Sequence, residues 1–205
     1  MRKNIKGIFF CAVILSLTAK GFAADQATAT PQMSKEQQEN MSRMQEYSTP
    51  NANHDVLKAF IGTWKADVQF WMDPQMAPQE SQGTSESTMI LDGHFLEQKY
   101  TGNMMGKPFE GRAIIGYDNL RKEYTSLWLD NMATGIVESA AKYDPASKTL
   151  TEEGSMSCPL TMETHRWHKA VTTFIDADHY TYESYMKDKN GKEFKGMIIR
   201  YSRIK

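Results

Sequence analysis

The chain has 205 residues, with 24 Lys and Arg against 25 Asp and Glu, so it lacks the basic excess typical of proteins that bind nucleic acid or anionic membranes. The sequence contains no P-loop, dinucleotide glycine fingerprint, H-E-x-x-H or G-x-S-x-G motif, and the enzyme classes that depend on them are excluded.

Residues 1–23 are typical of a secretory signal peptide. A basic segment at 2–6 is followed by the apolar run GIFFCAVILSLTA and by the small residues Gly21 and Ala23 before the expected cleavage site. The apolar run is too short to span a bilayer comfortably. The mature protein is therefore predicted to be exported, either to a periplasm or into the medium.

Residues 24–53 form a polar segment rich in Gln, Thr, Ser, Asn and Pro. This composition cannot build a core, so a flexible segment is predicted. Within it, Ser34 followed by Gln37 indicates a capping box, and Met41 and Met44 would share one face of a short surface helix.

The stretch HDVLKAFIGTWKADVQFW changes from helical to strand periodicity. Apolar residues recur at helical spacing from Val56 to Ile61, and apolar and polar residues then alternate as far as Phe70. Gly62 can end the helix in a left-handed conformation, and Trp64 would give the new strand a large apolar anchor. One domain is therefore predicted over 54–205, beginning with a short helix.

About ten short alternating segments follow, separated by turn residues. The strongest hairpin signal is Asp92-Gly93 between TSESTMIL and HFLEQKYTG, and Asn190-Gly191 separates the last two segments. No helix long enough for a crossover lies between these segments, which favours an antiparallel meander. A barrel would close the edges of such a sheet, so the predicted fold class is all-β, a single antiparallel barrel of about ten strands.

Several motifs spread over residues 50–205 carry a family resemblance. They are His54, Leu57, GTW at 62–64, Asp92-Gly93, MGKPFEG, GYDN, Trp128-x-Asp130, KTLTEEG and Tyr201-x-Arg203. This set resembles a family of unknown function, DUF1579, within the calycin superfamily of lipocalin-like barrels. The resemblance implies a lipocalin-like barrel with an interior cavity and a helix that plugs one end. It also implies structural roles for Gly62, Trp64 and Arg203, with Trp64 packed under Arg203 or, as an alternative, under Arg200.

Neither haem nor another metal or cofactor is predicted. Nitrobindin-like haem sites use a His near the end of the barrel, and the last segment, EFKGMIIRYSRIK, contains none. His165 and His168 are three apart and would face opposite sides of a strand. Met156, Cys158 and Met162 are soft donors that leave a Cu(I) site open as an alternative, although methionines commonly fill irregular gaps.

The function predicted is binding or sensing of a small, largely apolar molecule inside the barrel, without catalysis. The candidate wall residues are Trp71, Phe109, Tyr117, Trp128 and Met132, and the candidate polar anchors are Asp130 and Arg166. The sequence has no nucleophile, base and orienting group at recognisable spacing, which is the reason an enzyme acting in the cavity is only the alternative. Other mid-strand charges that alternation could turn inward are Glu97, Arg112, Glu138 and Glu183. No nucleic-acid partner and no membrane span are predicted.

Overall fold

The computed structural model describes residues 33–205, which form a closed barrel of ten antiparallel strands preceded by two helices. The predicted all-β antiparallel barrel of about ten strands is confirmed. The predicted signal peptide, residues 1–23, lies outside the described residues. In the described part of the chain, no helix combines the length and apolarity that crossing a membrane requires.

The helices are α1 (Lys35–Ser48) and α2 (Ala52–Leu57), and a 3-10 turn (Lys58–Phe60) follows α2 directly. The strands are β1 (Gly62–Phe70), β2 (Gln79–Ile90), β3 (Phe95–Met104), β4 (Lys107–Asp118), β5 (Glu123–Asp130), β6 (Val137–Asp144), β7 (Thr149–Cys158), β8 (Glu163–Phe174), β9 (His179–Lys187) and β10 (Glu193–Arg203).

Each strand pairs with its neighbours in sequence, and β1 closes the barrel by pairing with β10. In that closing pair Trp64 lies opposite Arg203 and Ala66 lies opposite Tyr201. Buried and exposed residues alternate along most strands, as expected when one face points into the barrel and the other into water. Bulges in β10 and β7 locally shift the register.

Helix α1 begins with a complete capping box, in which Ser34 and Gln37 exchange side-chain to backbone hydrogen bonds. The helix buries none of its residues, but its C-terminal end is tied to the barrel. The Asn119 side-chain amide donates to three backbone carbonyls between residues 46 and 49. His94 lies with Nε2 2.7 Å from the Ser48 carbonyl oxygen and Nδ1 2.6 Å from that of Leu91. Because both partners are acceptors, both ring nitrogens donate only when the imidazole is protonated.

One end of the barrel is closed by α2 and the 3-10 turn, which insert Leu57 and Phe60. Trp64 packs against this plug with 1% of its surface exposed, and its indole Nε1–H donates to the Phe60 carbonyl at 2.8 Å. The Arg203 guanidinium lies 4.0 Å from the centre of the Trp64 ring and donates to the Ile61 carbonyl at 2.7 Å. This contact explains the glycine at position 62. Its φ is +125°, and a β-carbon there would collide with the Arg203 guanidinium.

Aromatic side chains fill the plug end of the interior. Tyr180 stacks on Tyr201 with ring centres 4.2 Å apart, and its ring edge meets Trp64 at 4.7 Å and Phe60 at 5.3 Å. Phe174 meets Phe60 at 4.9 Å. The plug end is therefore a tightly packed core, which leaves the other end of the barrel for any ligand.

Candidate functional site

Beyond the aromatic plug end, the inward-facing positions in the middle of the strands combine small residues with larger ones such as Tyr100, His168 and Ile199. We call the space they enclose the lumen; its small residues are Gly83, Ala113, Ser126, Ser139, Ala141, Gly154, Ala170 and Ser184. Several inward-facing side chains nevertheless keep part of their surface accessible, among them Gln98, Ser126, Tyr182 and Met197. A barrel of this strand number leaves interior space unless large side chains fill it. Part of the inward-facing surface therefore remains accessible beyond the plug end.

A carboxyl group, that of Glu152 on β7, lies in the middle of this lumen. Its cross-strand neighbours are Ala141 on β6 and Ala170 on β8, so no bulky side chain covers it from either side. Glu152 is 8% exposed, and its Oε2 accepts a hydrogen bond of 2.7 Å from the Ser126 hydroxyl on β5. Burial raises the pKa of Glu152, and the Ser126 hydrogen bond opposes this in part. Among residues 33–205, Oε1 has no hydrogen-bond partner.

Three buried polar atoms of the interior lack partners within the described residues. They are the hydroxyl oxygens of Ser85 and Ser87 and the Nδ1 atom of His168. Leaving such atoms unpaired typically costs about 1–3 kcal/mol each. Burial lowers the pKa of His168, so its imidazole is neutral near pH 7.

Tyrosines supply the remaining polar groups of the lumen. Burial raises the pKa of Tyr182 well above its ordinary value, and the nearby Glu152 raises it further. Burial also raises the pKa of Tyr100 and Tyr201, so all three hydroxyls stay protonated. The lumen is therefore uncharged as long as Glu152 carries its proton.

Cations are confined to the outer surface and the two ends of the described barrel. Arg203 lies at the plug end. Arg166 lies at the opposite, open end, where its two terminal nitrogens donate to the Cys158 thiol at 3.1 Å and to the Lys187 carbonyl at 2.9 Å. Burial alone would raise the pKa of Cys158, but hydrogen bonds from Thr161 and Arg166 outweigh it and lower the pKa to about 7. The Arg166 guanidinium is thus engaged at the rim.

Four of the residues predicted for the ligand site come together at the open end. Phe109 and Trp128 stack with ring centres 6.3 Å apart and an interplanar angle of 24°. The Trp128 indole Nε1–H donates to Asp130 Oδ2 at 2.8 Å. Asp130 Oδ1 accepts from the backbone N–H of Met132, whose own side chain is half exposed in the β5–β6 loop. Both oxygens of the Asp130 carboxylate are thereby engaged in hydrogen bonds, one with Trp128 and one with the β5–β6 loop.

Two other predicted residues, Trp71 and Tyr117, lie at opposite ends of the barrel. Trp71 follows the end of β1, is half-buried and donates its backbone N–H to the Gly196 carbonyl. Tyr117 lies at the plug end, where its ring meets His54 at 5.7 Å and Tyr124 at 4.9 Å. The structure therefore does not bring Tyr117 together with Trp128.

The mid-strand charges considered as inward-facing are on the outer surface of the barrel. Arg112 Nη1 lies 3.2 Å from Glu97 Oε1 between adjacent strands, and Glu138 is exposed. Glu183 bonds to Lys195 on the neighbouring strand. All four therefore face outward, since strand register places their neighbours in the lumen instead.

Sequence reasoning missed Glu152, although a signal was present in TLTEEG. Leu150 is the kind of residue that faces a core, and period-two alternation then places Glu152 on the same face and Glu153 on the opposite one. The structure has this arrangement, with Leu150 and Glu152 buried and Glu153 exposed. Within residues 33–205, no group of three or more His, Cys, Asp or Glu side chains is arranged to hold a metal ion.

The comparisons with known proteins identify a family but no activity. The family described as "Protein of unknown function (DUF1579)" matches residues 49–203. A comparison with curated proteins found no significant match. Among solved structures, a redesigned β-barrel is similar at 12% sequence identity, over 73% of this chain and 96% of that chain, with a TM-score of 0.37.

Proposed function

Since the chain belongs to the DUF1579 family, whose function is unknown, we propose from the barrel itself that it binds a small molecule with a largely apolar body in the lumen. The observation that carries this proposal is the division of the interior. Large aromatic residues pack the plug end, whereas beyond it Gln98, Ser126 and Met197 keep part of their inward-facing surface accessible, although the core itself continues to Phe109. A barrel kept only for stability would gain by filling that space.

The lining of the lumen supports an apolar ligand body. Val68 and Ile199 lie opposite each other on the closing strands, and Phe70 and Met197 follow toward the open end. The Phe109–Trp128 pair lies at the same end of the barrel, on β4 and β5. Ligand pockets typically combine such apolar walls with a few polar groups that fix orientation.

Catalysis is not part of this proposal. Ser126 donates to Glu152, but His168 forms no hydrogen bond to either residue in the structure. A nucleophile requires a base within hydrogen-bond reach and a third group to orient that base. The arrangement suits recognition by hydrogen bonding.

We also propose that the protein is exported before it acts as a carrier or sensor. The support is the order of basic, apolar and small residues over 1–23. N-terminal sequencing of the protein isolated from the periplasm or medium should show a chain that begins near Ala24. Recovery of soluble protein that retains Met1 would contradict export by this route.

Lumen binding can be tested with an uncharged fluorescent probe, N-phenyl-1-naphthylamine, and a pair of adjacent alanines. Ala141 faces the lumen beside Glu152, whereas Ala140 is exposed on the outer face of the same strand. Ala141→Phe should fill the lumen and weaken probe binding by at least about tenfold, which corresponds to about 1.4 kcal/mol. Ala140→Phe should leave the affinity unchanged within error.

Circular dichroism shows whether both variants are folded. Equal probe binding by wild type and folded Ala141→Phe would place the probe outside the lumen and contradict the proposal. Failure of the folded wild-type protein to bind the probe or any other uncharged apolar molecule would favour a purely structural barrel.

A further inference from the structure

We infer that the lumen ligand carries a positively charged amine and that Glu152 is its counter-ion. This inference rests on the proposed lumen binding and adds the chemical class of the ligand. It stands on the position of the carboxyl group, which lies mid-lumen between Ala141 and Ala170 with Ser126 as its hydrogen-bond donor.

The geometry of Glu152 leaves one face of its carboxyl group available. An ionised carboxylate has two oxygens and about four acceptor positions, of which Ser126 uses one. The residues directly across both neighbouring strands are alanines, whose side chains neither donate hydrogen bonds nor reach over the carboxyl. A donor that approaches from the lumen can therefore reach Glu152 without displacing a protein partner.

The charge balance of the lumen determines which donor fits best. An isolated carboxylate in a low-dielectric interior is strongly disfavoured unless a cation accompanies it. No Lys or Arg of the described barrel contributes to the pKa shift of Glu152, and Arg166 at the open rim is engaged with Cys158 and the Lys187 carbonyl. A ligand ammonium would supply the missing positive charge and up to three N–H donors. A ligand carboxylate would find no partner cation in the lumen.

The groups around Glu152 also suit a cation. Tyr182 is close enough to Glu152 to feel its charge, and aromatic faces attract cations. The buried imidazole on the neighbouring strand does not repel a cation, because burial lowers the pKa of His168 and keeps the ring neutral near pH 7.

The other titratable groups that face this part of the lumen do not compete with Glu152 near neutral pH. They are His168 on β8, Tyr182 on β9 and Tyr124 on β5. Burial lowers the pKa of His168 and raises that of Tyr182, and burial raises the pKa of Tyr124 to about 12. Glu152 is therefore the group whose ionisation an amine ligand would control.

The test compares three probes with the same ten-carbon body: decylamine, 1-decanol and decanoate. Each is measured below its micellar concentration by displacement of N-phenyl-1-naphthylamine at pH 7.5. Decylamine should bind at least about tenfold more tightly than 1-decanol, and decanoate should bind more weakly than 1-decanol. In Glu152→Gln the preference for decylamine should disappear, whereas affinity for 1-decanol should change by less than about threefold.

Glu153→Gln is the matched control, because it removes the same charge from the exposed face of the same strand. It should leave the order of the three affinities unchanged. A loss of amine preference in both variants would assign the effect to net charge and overturn the inference.

The pH dependence in wild-type protein provides a second readout that needs no variant. Below the pKa of Glu152 a proton competes with the amine, so decylamine affinity should rise with pH between 5 and 9, while 1-decanol affinity stays constant. Decylamine itself stays protonated over this range, since its pKa is about 10 or above, like that of lysine.

The outcomes separate this inference from the proposed function. If 1-decanol and the fluorescent probe bind but decylamine binds no better and its affinity is independent of pH, the amine inference is wrong and lumen binding stands. If none of the probes binds to folded protein, both are wrong.

Discussion

Replacing Trp64 by alanine should destabilise the barrel more than replacing a tryptophan on its outer face. Trp64 is almost completely buried, and truncation of a buried aromatic to alanine typically costs about 3–5 kcal/mol. The substitution would also leave the Phe60 carbonyl without its indole donor and remove the ring under the Arg203 guanidinium. The loss should therefore lie in the upper part of that range, which corresponds to a fall in melting temperature of about 10–15 °C for a domain of this size.

The measurement is urea denaturation followed by far-ultraviolet circular dichroism, since tryptophan fluorescence itself changes with the substitution. Trp64→Phe separates the contribution of the hydrogen bond from that of the buried ring. It keeps an aromatic ring and loses the indole hydrogen bond, which should cost about 1–2 kcal/mol of stability. Trp167→Ala is the control: its ring is half-buried beneath the Lys187 ammonium on the outer face and should cost about 1 kcal/mol. A cost below about 1 kcal/mol for Trp64→Ala would refute the plug-end core described above.

Two further predictions concern the same end of the barrel. Gly62→Ala should destabilise by about 1–3 kcal/mol, because alanine is strained at a φ of +125° and its β-carbon would displace the Arg203 guanidinium. Gly135→Ala has open space around the new methyl group and should be nearly neutral by the same denaturation assay, so equal costs at both positions would refute this explanation. Hydrogen bonds to two backbone carbonyls raise the pKa of His94, so its stabilisation of the α1 junction is complete below its unfolded pKa of about 6.5 and is lost as pH rises through the raised folded value. Hydrogen exchange of the backbone amides at the C-terminal end of α1 should therefore accelerate with pH by more than the intrinsic exchange rate does. His94→Gln should abolish this additional acceleration. An additional acceleration that persists in the variant would contradict the role of His94.

Sequence periodicity was sufficient for the architecture because the strands carry their own signals. The alternation from Ala66 to Phe70 and the turn at Asp92-Gly93 are local features, and an antiparallel barrel is built from local hairpins. The capping box at Ser34 was equally easy to recognise from the sequence, and the structure shows both of its hydrogen bonds. These elements require no knowledge of which strand lies beside which.

The site was less accessible from sequence, because a side chain enters the lumen only if its strand has one of two registers. Glu97 and Glu152 both lie within alternating segments, yet Glu97 pairs with cations outside and Glu152 lies inside. Apolar residues on the same face resolve this ambiguity, as Leu150 does for Glu152. Long-range contacts are harder still: nothing in the sequence near Asn119 indicates that its amide holds the end of α1, some 70 residues earlier.

The unpaired polar groups of the interior argue that this barrel is not built for stability alone. At the plug end the Trp64 indole and the Arg203 guanidinium have hydrogen-bond partners, but the hydroxyls of Ser85 and Ser87, directly across from Trp64 and Gly62, have none within residues 33–205. In the lumen, an imidazole nitrogen of His168 also lacks a partner, and the buried Glu152 carboxyl has one donor. Apolar residues of similar size would make the lumen more stable. Natural proteins depart from complete polar pairing mainly at functional sites, and the aromatic core of the plug end supplies the stability that offsets this departure. The lumen is therefore where a ligand should complete the hydrogen bonding that the chain leaves open.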